Sequence, residues 1–183
     1  FYLPTICTGV ATYIAWTYLF NGTNGFINVI LNGLGMESIN FLGNRNTAML
    51  SIIFMDMFCI GTAMTIVLAG LQDVPRDYYD GASGIQRFWH ITFPLISPVV
   101  FFNVLMVIIK GLQIFTQPYV MTGGGPAQST YVYGLYLYNT AFSYGKFGYA
   151  SALAWVLFII MILLTLVILG TSKFWVFYRE DVD

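Results

Sequence analysis

Long uncharged apolar runs separated by short polar clusters dominate this chain. The hydrocarbon core of a bilayer is about 30 Å thick and takes roughly 20 helical residues to cross. Runs near that length occur four times. The first is Phe1 to Phe20, closed by the turn-forming N-G-T-N-G of Asn21 to Gly25. The second lies between Arg45 and Asp73 and carries one interior charge, Asp56. The third begins near Ile91 and continues uncharged to Ile109, just before Lys110. The fourth, Phe147 to Ser172, has no charged residue and is bounded by Lys146 and Lys173. The pattern predicts about four transmembrane helices.

The intervening segments read differently. Asn21 to Asn46 mixes Gly and Asn with short apolar pieces such as F-I-N-V-I-L, which suits a loop carrying a short interfacial helix. Gly111 to Gly145 is also nearly uncharged, but Pro126 and Gly145 leave too few residues between them for a crossing. Its tyrosines, at every second or third position of Y-V-Y-G-L-Y-L-Y, are amphipathic and prefer the boundary between membrane and water. This stretch is expected to be an interfacial or dipping helix. No internal repeat or low-complexity segment is present.

Composition agrees with a membrane protein. Charged residues make up 8% of the chain, against about 25% in soluble domains. A net charge of −1 gives no electrostatic case for nucleic acid as a partner. Cys7 and Cys59 both sit in apolar surroundings, where a thiol behaves as a small hydrophobe rather than as a disulfide or metal ligand. The opening F-Y-L-P-T-I-C-T has neither an initiator Met nor a basic segment, unlike a secretory signal, and reads as the middle of a longer protein. Four spans put both termini and the Asp80 region on one side. Arg76, Arg87, Lys173 and Arg179 then face Arg45, Lys110 and Lys146 across the bilayer. The excess of basic residues places the Asp80 region in the cytoplasm, by a narrow margin.

That region, D-G-A-S-G-I-Q-R-F-W-H-I-T-F-P-L-I-S-P from Asp80 to Pro98, is the main polar interruption. Helical spacing puts Ile85, Phe88, Trp89 and Thr92 on one face and Gln86, Arg87 and His90 around the other, so a short amphipathic helix is expected before the third span. Gly81 and Gly84 permit tight backbone geometry ahead of it. Pro94 suits the first turn of a membrane helix, where its missing amide hydrogen has no intrahelical partner to lose. Pro98 either extends that entry turn or kinks the span. On composition alone the segment reads equally well as a polar loop with aromatic anchors.

Gly81, nine residues, and then I-T-F-P at Ile91 to Pro94 resembles the cytoplasmic E-A-A loop of ATP-binding-cassette importer permeases, with pattern glycine, nine residues, I-x-L-P. Phe93 is the one departure in that half. D-G-A-S at Asp80 to Ser83 and M-T-G-G-G-P at Met121 to Pro126 are similar to the carbohydrate-uptake branch, specifically its maltose-type permease subunits. The similarity extends to A-G-L-Q-x-x-P at Ala69 to Pro75, Y-A-S-A-L-A-W at Tyr149 to Trp155 and F-W-V-F-Y at Phe174 to Tyr178. Two features depart from the family. Such permeases have two further membrane helices upstream, so residues 1–183 are read as one transmembrane domain, part of a longer permease. A gapless match also puts Pro75, Arg76 and Asp77 where Glu-Ala-Ala is expected, which reads either as a short deletion after Tyr79 or as residues missing from this sequence there; either shortens the first coupling helix.

The resemblance implies an all-α, partial type I importer permease fold. It also implies a multi-pass location in a bacterial or archaeal cell membrane, and import of an oligosaccharide, polyol or sugar phosphate by alternating access. Implied partners are cytoplasmic ATPase subunits that use the ATP, a second permease subunit, an extracytoplasmic sugar-binding protein and the bilayer. The chain itself binds no cofactor and is not an enzyme. Residues 73–94 become the coupling segment that docks on the ATPase. Within it the coupling residues are Asp80, Gly81, Ala82, Arg87, Phe88, Ile91 and Pro94: Gly81 is assigned to the turn, Phe88 and Ile91 to packing and Arg87 to a polar or ionic contact, and Pro94 carries the motion into the span.

The solute path is less legible. A carboxylate in mid-membrane costs about 2.5 to 3.5 kcal/mol, so Asp56 must face protein or water. It reads either as an acceptor for sugar hydroxyls or as a structural partner to Lys110 or a neighbouring helix. Lys110 reads either as a pore residue or as a side chain snorkelling to the interface. Gln113 and Gln117, four apart, offer neutral donors and acceptors to a polyhydroxylated solute or to adjacent helices. His90, beside Trp89, has no partners at catalytic or metal-ligand spacing and reads as interfacial. No phosphate-binding loop is present, because Gly123 to Gly125 run into Pro126. An ion-coupled secondary transporter, with Asp56 as the coupling carboxylate, is the alternative on composition.

Overall fold

The computed structural model describes residues 9–72 and 84–177, and among them every regular element is helical. In chain order these are α1 Val10–Leu19, α2 Phe26–Gly33, α3 Ala48–Phe58, α4 Gly61–Gln72 and α5 Gly84–Arg87. A π-helical turn, Phe88–Thr92, then leads into α6 Phe93–Leu112. Next come α7 Thr116–Met121, α8 Tyr133–Tyr138 with a second π turn at Asn139–Ser143, and α9 Phe147–Ser172.

Two helical stretches are long and apolar enough to cross a membrane: the 25 residues Phe88–Leu112 and the 26 residues Phe147–Ser172. They correspond to the third and fourth expected spans. The second expected span falls on two helices, α3 and α4, separated at Cys59–Ile60 and long enough only when taken together, as a broken span or a re-entrant loop. The first is described from Gly9 onward, where α1 has 10 residues; Phe1 to Thr8 lie outside the described residues. Between α6 and α9 the chain forms α7 and α8, of 6 residues each, too short to cross, as the tyrosine pattern anticipates.

The chain divides into two compact units, each with its own packing. One comprises residues up to 61 together with 112–155. Its core is Phe20, Ile52, Met55 and Met121, with Tyr13, Trp16, Ile27, Phe41, Leu42 and Ile114 packed around it. The Gly- and Asn-rich loop before α3 is organised by Asn28 of α2, whose side chain is fully buried. Its Nδ2 donates to the carbonyls of Asn21 and Ile39, both at 2.9 Å, and its Oδ1 accepts from the Ile39 amide at 2.9 Å. A buried amide is tolerated only with its donors and acceptor used in this way.

The other unit comprises residues 62–111 and 156 onward. Within it α4 meets α6 where a Cβ on Gly70 would lie 2.9 Å from Cγ2 of Val99. Glycine is required for that close approach, as at many membrane helix crossings. Thr171 and Ser172 end α9 by donating their hydroxyls to the carbonyls of Ile168 and Leu169.

Candidate functional site

The Asp80 region divides at the boundary of the described residues. Asp80, Gly81 and Ala82 lie outside them; Arg87, Phe88, Ile91 and Pro94 lie within. The amphipathic helix expected before the third span is not a separate element. Helical backbone is continuous from Gly84 through α6, changing to π geometry at Phe88–Thr92, where the Phe93 amide reaches the Phe88 carbonyl. Thr92 follows the same wide spacing, its hydroxyl donating to the Arg87 carbonyl at 3.3 Å.

This alters the expected face. Ile85, Phe88 and Trp89 are exposed whereas Thr92 is buried, because a π turn advances more slowly around the axis than the α spacing assumed from sequence. Pro94 is correspondingly not at the first turn of a new helix; helical turns precede it. Phe88, Trp89 and Phe93 form a connected aromatic edge, with centroids 5.4 and 5.7 Å apart. Arg87 and His90 are exposed on the same segment. The result is an apolar and basic surface rigidly continuous with a membrane-length helix.

Just beyond it lies a contact that sequence reasoning did not anticipate. Pro98 sits inside α6 and cannot supply the amide hydrogen that would bond the Pro94 carbonyl four residues earlier. The Ser97 hydroxyl donates to that carbonyl instead, at 2.7 Å, and accepts from the Phe177 amide at 2.9 Å. Ser97 is fully buried there, Val176 is buried, and Trp175 packs edge-on against Phe101 at 5.6 Å. The signal available in the sequence was the P-L-I-S-P spacing; its partner stands 80 positions away.

The expected solute-path residues separate. Asp56, on α3, is half-buried and accepts from Nε2 of Gln117, on α7, at 3.4 Å. Of the partners considered for Asp56, the observed one is thus on a neighbouring helix. Gln113 and Gln117 do not share one helical face, because α6 ends at Leu112 and α7 begins at Thr116, leaving Gln113 in the exposed break. Lys110 is exposed in the last turn of α6.

The M-T-G-G-G-P motif is a built loop. Gly123 and Gly124 have φ of 59° and 90°, and a side chain on Gly124 would collide with the Tyr131 ring, whose Cδ2 lies 2.6 Å from the Cβ position. Inside it the buried Thr130 hydroxyl donates to the Gly125 carbonyl at 2.8 Å and shares a 2.6 Å hydrogen bond with Thr122. Beside it runs a row of rings. Phe115 stacks on Tyr119 at 5.3 Å, and Tyr138 contacts Phe115, Tyr119 and Phe142 at 5.0, 5.3 and 5.0 Å. A hydrogen bond with Tyr119 raises the Tyr138 phenol above its ordinary range. Tyr133 ties α8 to α9, its hydroxyl donating to the Leu153 carbonyl at 2.7 Å. Among the described residues no three His, Cys, Asp or Glu side chains gather into a metal site.

Residues 2–174 match the family model for the binding-protein-dependent transport system inner membrane component. The chain belongs to this family. It is 41% identical to the probable ABC transporter permease protein YesP of Bacillus subtilis, over 100% of this chain and 62% of that relative. It is 35% identical to the trehalose/maltose transport system permease protein MalF of Thermococcus litoralis, over 94% and 60% of the two chains. The multiple sugar-binding transport system permease protein MsmF of Streptococcus mutans is 33% identical, with 94% and 61% covered. The chain thus spans 62% or less of the length of these three relatives.

The fold matches that of a bacterial alginate ABC transporter solved in complex with an alginate pentasaccharide-bound periplasmic protein. The TM-score is 0.85 at 19% identity, over 94% of this chain and 62% of the other. The chain therefore belongs to a family of transport-system membrane components and has a helical, partial type I importer permease fold; this family is one of permeases rather than enzymes.

Proposed function

We propose that residues 1–183 form one membrane domain of the permease subunit of an ATP-driven sugar importer. The solute, an oligosaccharide, polyol or sugar phosphate, moves by alternating access. The observation that carries this reading is the unbroken helical backbone from Gly84 to Leu112. A segment that projects Ile85, Phe88 and Trp89 beside Arg87 offers an apolar and basic ridge to a groove on a partner, as helix-in-groove recognition requires. Because that ridge runs directly into a span, movement of the partner displaces the span.

In this reading residues 73–94 are the coupling segment. Asp80, Gly81 and Ala82 belong to it, with the turn assigned to Gly81, Phe88 and Ile91 pack in the groove of a cytoplasmic ATPase, Arg87 makes a polar or ionic contact, and Pro94 leads the motion into α6. A second permease subunit completes the path, and an extracytoplasmic sugar-binding protein delivers the solute. The setting is a bacterial or archaeal cell membrane. Asp56 and Gln117, held together at 3.4 Å, supply a carboxylate and an amide for sugar hydroxyls; Gln113 and Lys110 lie further along the same stretch of chain. The similarity to MalF and MsmF, permease proteins of a trehalose/maltose and a multiple sugar-binding transport system, supports the substrate class.

The test is reconstitution of the complete permease with its ATPase and binding protein in proteoliposomes. ATP-dependent, vanadate-sensitive uptake of a labelled oligosaccharide is expected. Uptake that follows an imposed proton or sodium gradient without ATP would overturn the proposal in favour of an ion-coupled carrier.

A further inference from the structure

The tail after α9 is bound to α6 where Pro98 interrupts the helix ladder of α6. Pro98 removes the donor for the Pro94 carbonyl, and Ser97 supplies a hydroxyl in its stead at 2.7 Å. An unpaired carbonyl buried in a helix costs free energy, so the substitution is stabilising in itself. The Ser97 oxygen also accepts from the Phe177 amide at 2.9 Å. One buried hydroxyl therefore joins the backbone of the tail to the backbone of α6, three residues after Pro94. Trp175 against Phe101 and the Gly70 crossing at Val99 hold the same stretch of α6 from other sides.

We propose that Ser97 is a positioning residue that makes the Lys173–Phe177 tail, and with it the end of α9, move as one body with the coupling end of α6. The inference rests on the coupling role given to residues 73–94. Its added content is that the ATPase stroke reaches two membrane helices, α6 directly and α9 through the clasp. The Phe177 side chain is 62% exposed, so its contribution is the backbone amide rather than the ring.

Three variants separate this from a general structural role. Phe177→Pro removes the amide hydrogen, Phe177→Ala keeps it, and Ser97→Ala removes the hydroxyl. In the complete transport complex, Phe177→Pro and Ser97→Ala are expected to lower the solute imported per ATP hydrolysed by roughly three- to ten-fold, the range in which single packed residues change coupling. ATP hydrolysis and assembly are expected to stay near the parent level. Phe177→Ala and the conservative Ser97→Thr are expected to behave as the parent.

Parent stoichiometry in Phe177→Pro overturns the proposal. So does equal damage in Phe177→Ala, or a fall in assembly that accounts for the lost transport. Hydrogen exchange of the Phe177 amide in the purified permease checks the clasp without any transport assay. About five-fold faster exchange is expected in Ser97→Ala, the worth of one hydrogen bond, and unchanged exchange overturns the clasp. Faster exchange alongside a parent complex that shows no ATP-driven uptake overturns the functional reading while leaving the clasp in place.

Discussion

Asp56 is an acidic side chain inside an apolar helix, and its one described partner, Gln117, stands at 3.4 Å. A carboxylate accepts about four hydrogen bonds, and one long contact uses little of that capacity. Replacing Asp56 by Asn keeps shape and removes charge. If sugar hydroxyls use the carboxylate, the KM for uptake should rise roughly ten-fold, the worth of a charge-assisted hydrogen bond, with thermal stability nearly unchanged. A fall in melting temperature at constant KM would instead mark a structural pair. Asn28 makes the opposite case: it is fully buried and makes three hydrogen bonds of 2.9 Å. Asn28→Ala should cost about 3 kcal/mol by leaving the Ile39 amide and two carbonyls unpaired, read as a lowered unfolding midpoint in detergent. The position of Asp56 was visible in the sequence because a charge in an apolar run stands out. Asn28 was not, since its partner Ile39 lies eleven residues away across a turn.

Among the elements, apolar length located the third and fourth spans within a few residues, because 25 and 26 residues of apolar helix have few alternatives in a bilayer. Where helices break was harder to read. The interruption at Cys59–Ile60 carries no proline, and the break between Leu112 and Thr116 falls in a stretch with no charge to mark it. The π turn at Phe88–Thr92 was hidden for a related reason: a pattern of apolar positions is scored against α spacing, and one wide turn shifts every later residue around the axis. The close crossing of α4 and α6 provides a test at this scale. Gly70→Val places a branched side chain where Val99 already stands 2.9 Å from the Cβ position. It should destabilise by about 1 to 3 kcal/mol through overpacking, and Val99→Ala in the same chain should restore part of the loss.

For the whole molecule, topology follows from length. The helices Phe88–Leu112 and Phe147–Ser172 are each long and apolar enough to cross a membrane and are joined by helices of 6 residues, so one crossing in each direction is the expected topology. Single cysteines introduced at Lys110 and Lys146 should react with an impermeant thiol reagent from one face of the membrane, and cysteines at Arg87 and Lys173 from the other. Reaction of Lys110 and Lys146 sites from opposite faces would contradict this arrangement. The family and its helical fold were legible because motifs spread from Ala69 to Tyr178 repeat a known pattern. Which residues meet within each unit was not, since those contacts join positions 61 and 80 apart.

One property of α9 follows from its uniformity. None of its most apolar 18-residue stretch is buried within this chain. A cylinder equally greasy on every side feels no torque from the surrounding lipid, so the bilayer sets its depth but not its angle of rotation. That angle is set instead by contacts that act on one side of the helix, among them the Tyr133 hydroxyl on the Leu153 carbonyl and the buried Ser172, as a key fixes a shaft in its hub.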